Sequence, residues 1–275
     1  MSKYVIIILL SLLLTTCKFG NVPVGMITIK GSDTMLILNQ LLAEEYMEKN
    51  PGISIYVYGG GSKTGINALA EGSADICATS RQFEPTEIKE LANKYGSLGL
   101  SHIIAKDALS IFVHPDNTVK NFTMQQIKDI FTCKITNWKE LGGENKPINP
   151  IIRPINSGTH LYFKQHVLSD EPYCTTIKAI SATSMIIEAI RKDKYAIGYG
   201  GIGYGKDIFH AFVNDIEPSE KNVINDIYPI SRYLYFYTIN SPSGIVKDYI
   251  EWIISPEGQQ VVKKAGFIPL WNISY

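Results

Sequence analysis

Between Met26 and Lys94 short β-branched or apolar runs alternate with small polar loops and helical stretches. Met26-Ile27-Thr28-Ile29, Ile53 to Tyr58 and Ala74 to Ala78 read as strands. Gly31-Ser32-Asp33-Thr34 turns into a helix through Leu36, Leu41, Leu42 and Tyr46, which Asn50-Pro51-Gly52 stops. Gly59-Gly60-Gly61-Ser62 opens a further helix from Thr64 to Glu71, and Pro85 starts another through Lys94. Such β-loop-α repetition implies a mostly parallel sheet covered by helices, an α/β fold. Binding sites in these sheets lie beyond the C-terminal ends of the strands.

The pattern restarts downstream. Strands are predicted at Leu109 to Pro115, Ile148 to Ile152, Ala196 to Tyr199 and Tyr233 to Ile239. Helices are predicted at Thr123 to Phe131, Thr159 to Leu168, Ser184 to Arg191, Gly244 to Ile254 and Pro256 to Lys264. At 275 residues the chain exceeds the usual size of one compact domain, which favours two lobes. Two strands, near 109–115 and 228–238, look like crossings between them. The first lobe is then 26–109 with 238–275, and the second is 110–237. A cleft would lie between the lobes, with a hinge beneath it.

The first residues stand apart. Lys3 precedes the apolar run Val5 to Leu14, followed by Thr15-Thr16-Cys17, the layout of a secretory signal over 1–16. The run is too short for a membrane helix, which needs about 20 apolar residues. Leu14-Thr15-Thr16-Cys17 resembles a bacterial lipobox with Thr16 where a smaller residue is usual, so Cys17 is the expected lipidation site and 17–25 the lead from a lipid anchor. The competing outcome is ordinary cleavage that leaves a free thiol. Cys77 lies in an apolar stretch and reads as a buried thiol. Cys133 and Cys174 are candidates for a disulfide, and no cysteine or histidine spacing calls for a metal or another cofactor. Lys+Arg and Asp+Glu balance at 26 each, leaving no net field to attract nucleic acid.

Four segments share one character: Gly31-Ser32-Asp33-Thr34, Gly61-Ser62-Lys63-Thr64-Gly65, Thr79-Ser80-Arg81, and Arg153 through Ser157-Gly158-Thr159. Each follows a strand and is built from Gly, Ser, Thr or Arg. Helix N-termini offer unpaired N–H groups and partial positive charge, so converging termini make a cage of donors for an anion. Hydroxyls add donors without charge, and an arginine fork matches two oxygens of a tetrahedral oxyanion. Taken singly, each segment is equally a helix cap, a turn or a surface ion pair.

Those segments, with Ala196-Ile197-Gly198-Tyr199, Tyr228-Pro229-Ile230-Ser231-Arg232 and Gly266 to Leu270, resemble in order and spacing the PstS-type phosphate-binding proteins of ABC transporters. The resemblance implies a two-lobed type II periplasmic-binding-protein fold with two crossing strands as its hinge. It implies a buried, desolvated inorganic phosphate contacted by Ser32, Asp33, Thr34 and Ser62 from one lobe. Arg153, Ser157, Gly158 and Thr159 would close on it from the other. A permease and ATPase complex is the implied partner, and the chain is expected to act as a monomer outside the cytoplasmic membrane, in the periplasm or at the cell surface.

The chain departs from that family at two places. Ser80-Arg81 stands where members place an Asp that accepts the ligand's proton, and Ile155 stands where an acidic residue is common. Asp33 is therefore the expected proton acceptor, with a plain helix cap as the competing reading. Ser80 is expected among the ligand contacts. Arg81 is read first as a second charge on the anion and second as the partner of a carboxylate at the rim. Arg232 is read as structural, near a crossing strand. Rival functions are a sulfate binder, a lipoprotein adhesin or signalling protein that kept the fold, and a phosphatase or serine hydrolase. Against the last, no GxSxG elbow is present and His160 has no matched acid.

Overall fold

The computed structural model describes residues 25–271; the signal segment and Cys17 lie outside the described residues. In chain order, β1 (Gly25–Gly31) leads through a 3-10 turn (Asp33–Met35) into α1 (Leu36–Lys49). Then come β2 (Ile53–Tyr58), α2 (Ser62–Glu71), β3 (Ile76–Thr79), α3 (Pro85–Tyr95) and the 14-residue β4 (Leu100–Val113). The middle of the chain holds β5 (Asn121–Phe122), α4 (Met124–Phe131), β6 (Asn149–Ile152), α5 (Gly158–His166), β7 (Lys178–Ala179) and α6 (Thr183–Lys192). It ends with β8 (Ala196–Gly201), β9 (Phe209–Val213), α7 (Glu220–Ile224), β10 (Ser231–Thr238), α8 (Gly244–Ile253) and α9 (Pro256–Lys264).

The strands run in the order β2-β1-β3-β10-β4-β8-β6-β7. β1 pairs in parallel with β2 and β3, as β-loop-α units require. β10 enters antiparallel between β3 and β4. β4 is shared: Leu100 to Ala108 pair with β10, and Leu109 to Val113 pair with β8. The first crossing thus falls at Ala108–Leu109. The second falls inside the expected stretch 228–238, but at its beginning, so the lobe boundary moves. Tyr235 to Tyr237 pair with β3, so this stretch belongs to the first sheet and the return lies near Ser231 rather than Tyr237. A run of alternating aromatics marks a strand but not the sheet it joins.

Each lobe is built around buried faces of its helices. On α1 and the turn before it, Met35, Leu38, Leu42 and Tyr46 repeat at helical spacing, and the first three are fully buried. Covering each such side chain stabilises the fold by about 1.5–3 kcal/mol. They pack with Ile27 and Ile29 of β1 and with Tyr249 and Ile253 of α8, which brings the C-terminal helices onto the first lobe. The second lobe closes around Ile111, Phe131, Trp138, Phe163 and Tyr199. Cys133 and Cys174 form a disulfide within it, with Cα atoms 5.6 Å apart. Cys77 is a buried free thiol whose pKa is pushed up by burial.

Candidate functional site

The seam between the lobes is made by the loops that leave β1, β2, β3 and β6. Gly31 carries β1 into the seam at φ 146°, a conformation side chains resist, and a Cβ there would run into the Ala78 carbonyl. That close approach sets the first polar loop directly beside the third. Ser62 is the first residue of α2 and Gly158 the first of α5, so two helix N-termini reach the seam. A Cβ on Gly158 would collide with the Ser62 side chain and lie 2.8 Å from the Ser80 hydroxyl, which shows how tightly α5 is seated against the first lobe. Two positive helix ends facing one another repel unless an anion lies between them.

Hydroxyls line the same place. Thr34 Oγ1 and Thr159 Oγ1 meet across the seam at 2.8 Å. Ser62 Oγ lies 3.5 Å from Ser80 Oγ and accepts the Ser80 N–H at 3.3 Å. Ser32, Thr34, Ser62, Ser80, Ser157 and Thr159 are all buried. Ser157 caps α5, accepting the His160 N–H at 3.4 Å. The imidazole of His160 bonds back to the Arg153 carbonyl at 2.7 Å, which fixes the turn that aims Arg153.

Arg153 is fully buried. Its Nη1 donates to Thr183 Oγ1 at 2.9 Å, and its Nη2 donates to the Ser181 carbonyl at 2.8 Å and to Asp33 Oδ2 at 2.7 Å. Its Nε–H is buried and has no acceptor among the described residues. Burial pulls the guanidinium pKa down from its ordinary value, opposed by the Asp33 carboxylate. The group stays charged, since arginine does not deprotonate in proteins.

Asp33 does not cap its own helix. Its Oδ1 accepts the Gly60 N–H at 2.7 Å and its Oδ2 takes Arg153 from across the seam. The Asp33 carbonyl accepts the Tyr204 hydroxyl at 2.7 Å. The carboxylate expected near Ile155 is thus supplied by the opposite lobe, while Ile155 itself is 87% exposed. Asn156 adds further bonds between lobes, its amide donating to the Gly60 carbonyl at 2.9 Å and its carbonyl accepting the Lys63 N–H at 3.1 Å. Asn156 lies inside the fourth polar segment without having been picked out as a site residue, and no sequence signal marked Ser181 or Thr183, whose roles depend on where β6 and α6 sit.

Arg81 is a correction. Its two terminal nitrogens form a bidentate pair with Glu87, at 2.8 Å each, and Nη1 also donates to the Gln82 carbonyl at 2.8 Å. The geometry commits its charge to Glu87 rather than to an anion in the seam, and Glu87 is buried rather than at a rim. Glu87 is also the third residue of α3 and accepts the Glu84 N–H at 2.8 Å. Burial alone would raise its pKa, but the Arg81 fork, that N–H and Lys63 outweigh burial and hold the carboxyl below the ordinary range. A glutamate at the third position of a helix opened by Pro85 was the available clue. Arg232 pairs through Nε and Nη2 with the fully buried Asp107 on β4, at 3.0 and 2.9 Å, beside the crossings.

The seam therefore holds one neutralised Arg–Asp pair, facing helix ends, clustered hydroxyls and one unpaired buried N–H. Donors grouped in this way are of the kind that can hold a single small oxyanion. Among known proteins, a model of the PBP superfamily domain matches residues 20–257. The phosphate-binding protein PstS of Pseudomonas aeruginosa is 34% identical over 272 residues, covering 90% of this chain and 83% of that protein. PstS of Bacillus subtilis is 32% identical over 255 residues, covering 90% and 82%. The crystal structure of a phosphate ABC transporter substrate-binding protein from Clostridium perfringens, with bound phosphate, superposes with a TM-score of 0.83 at 31% identity, over 90% of this chain and 100% of that one.

Proposed function

We propose that this chain, which belongs to the PBP superfamily and within it to the PstS phosphate-binding proteins, captures inorganic phosphate between its lobes and delivers it to an ABC transporter. The observation that carries the reading is the Arg153 Nε–H, buried without an acceptor on the side chain that reaches across the seam to Asp33. A buried donor left unpaired is costly, and a phosphate oxygen relieves it. The other oxygens take the hydroxyls of Thr34, Thr159, Ser62 and Ser80 and the N–H groups at the starts of α2 and α5. Ser32, Ser157 and Gly158 complete the cradle, and Asp33 holds Arg153 while accepting the proton of hydrogen phosphate.

The mechanism is capture and closure. The anion binds one lobe, the other rotates about β4 and the Ser231 crossing, and Asp33–Arg153 with Thr34–Thr159 seals the seam. A transporter that docks the closed surface then receives only loaded protein. The chain is read as a binder rather than a catalyst. Export fits the disulfide, since such bonds persist in oxidising compartments. No helix among the described residues is long and apolar enough to cross a membrane, and tethering is assigned to a lipid on Cys17. Mass spectrometry of the mature N-terminus checks the tether, and an unmodified amine there would remove it.

Isothermal titration of the purified mature protein, first with phosphate and then with sulfate, tests the function. Phosphate should titrate at one site per monomer near neutral pH, and Arg153→Ala should abolish the heat. Binding of sulfate alone, or of neither anion, would overturn the reading.

A further inference from the structure

Asn156 differs from the cradle residues in place and in partners. It lies three residues past Arg153 in the loop that leaves β6, yet Arg153 is fully buried and Asn156 is exposed. Its side-chain amide donates to the Gly60 carbonyl at 2.9 Å, and its main-chain carbonyl accepts the Lys63 N–H at 3.1 Å. Both bonds run between the lobes, and neither reaches the buried hydroxyls. Gly61 makes room for them. It holds φ at 94°, and a Cβ there would lie 2.6 Å from the Asn156 carbonyl oxygen.

The place of this contact gives it leverage. The first sheet runs outward from β10 through β3 and β1 to β2, and the second from β4 through β8 to β6. Gly60 follows β2 and Asn156 follows β6, so the two meet on the side of the seam away from the crossings. β2 lies three strand spacings from β10, about 14 Å. A rotation of about 10° about the crossings shifts a point at that distance by roughly 2 Å, enough to take both bonds beyond hydrogen-bond reach.

Opening strands no buried group there. The Gly60 carbonyl keeps the Thr64 hydroxyl at 2.7 Å. Asn156 is exposed and Lys63 half-buried, so water replaces the lost partners once the lobes part. The same turn also reaches the cradle. The Gly60 N–H donates to Asp33 Oδ1 at 2.7 Å, and Asp33 Oδ2 takes Arg153. The loop from Arg153 to Asn156 is thus held at its buried end by Asp33 and at its exposed end by Gly60.

We propose that Asn156 is the latch of the closed cleft, a positioning residue that leaves the anion untouched and sets how long it is held. The inference rests on the phosphate reading of the cradle. An anion arriving at the open form meets no latch, so association is indifferent to it. Escape requires the mouth to part, so dissociation carries its full effect.

Stopped-flow binding and release of inorganic phosphate, on the whole mature protein and on Asn156→Ala, tests the proposal. Release should quicken about three- to tenfold, the size that loss of one hydrogen bond implies, while association stays within about twofold. The urea midpoint of the phosphate-free protein should stay at the parent value. An unchanged release rate, or a loss of affinity carried by slower association, overturns the latch. A lowered midpoint overturns it as well and makes Asn156 a structural residue only. Hydrogen exchange at the Lys63 amide reads the latch without regard to the anion, and it should be faster in Asn156→Ala than in the parent. If the parent binds no phosphate, the cradle reading falls; the latch then stands on that difference in exchange, and with equal exchange it falls too.

Discussion

Asp33 is engaged by Arg153 on one oxygen and by the Gly60 N–H on the other, yet each oxygen of a carboxylate keeps a further lone pair. Hydrogen phosphate has an O–H to give to such a lone pair, and sulfate near neutral pH has none. Asp33→Asn keeps the shape but removes the charge and turns one acceptor into a donor. Phosphate affinity should fall roughly tenfold or more, and the preference over sulfate should narrow. Titration with both anions checks it; an unchanged ratio would leave Asp33 as the partner of Arg153 and nothing more. At this scale the sequence was readable in residue types and opaque in pairings. Gly, Ser, Thr and Arg at strand ends were the residues to follow, and Ser32, Thr34, Ser62, Ser80, Ser157 and Thr159 are buried in the loops and helix starts at the seam. That Arg153 takes a carboxylate 120 positions away, and Arg81 one six positions away, is decided by the meeting of loops and not by spacing.

Elements with a strong periodic signal formed where the pattern put them: α3 starts at Pro85 and α9 spans Pro256–Lys264. Weaker ones went unread for physical reasons. β5 and β7 are two residues long, and α7 only five, too short to show a period. The first half of β4, Leu100 to Ala108, mixes Ser101, His102, Lys106 and Asp107 into a strand that alternates poorly because its polar side chains have partners across the sheet, as Asp107 has in Arg232. The disulfide between Cys133 and Cys174 joins the end of α4 to the chain beyond α5 across 41 residues and encloses β6 and α5. A loop of that length implies about 2–4 kcal/mol of stabilisation. The Cys133→Ser/Cys174→Ser pair should lower the urea midpoint accordingly while phosphate affinity stays close to that of the parent, since neither sulfur lies at the seam. A midpoint that does not move would show that packing alone holds this segment.

For the whole molecule, His102, His160 and His210 all have pKa values pulled below 6.5, first of all by burial. Between 6.5 and those lowered folded values the unfolded chain binds the protons that the folded chain refuses. Stability is therefore full above that window and falls as pH drops through it. Glu87, held below the carboxylate range, adds a second loss at lower pH, present above its unfolded value of 4.5 and removed as pH falls through the folded one. Urea unfolding at pH 7.5, 6 and 5 should show a midpoint that declines steadily, and a flat profile would mean the histidines are solvated enough to titrate normally. β4 and the Ser231 crossing have a consequence in time as well as space. The first sheet needs β10, and its helical cover needs α8 and α9, so its parts come from both ends of the chain. A polypeptide that emerges from its N-terminus has the strands of the second lobe available while the first sheet still lacks β10. The first sheet cannot be completed until the last segment of the chain is available, and a chain cut short before Ser231 would lack the strand that joins β3 to β4.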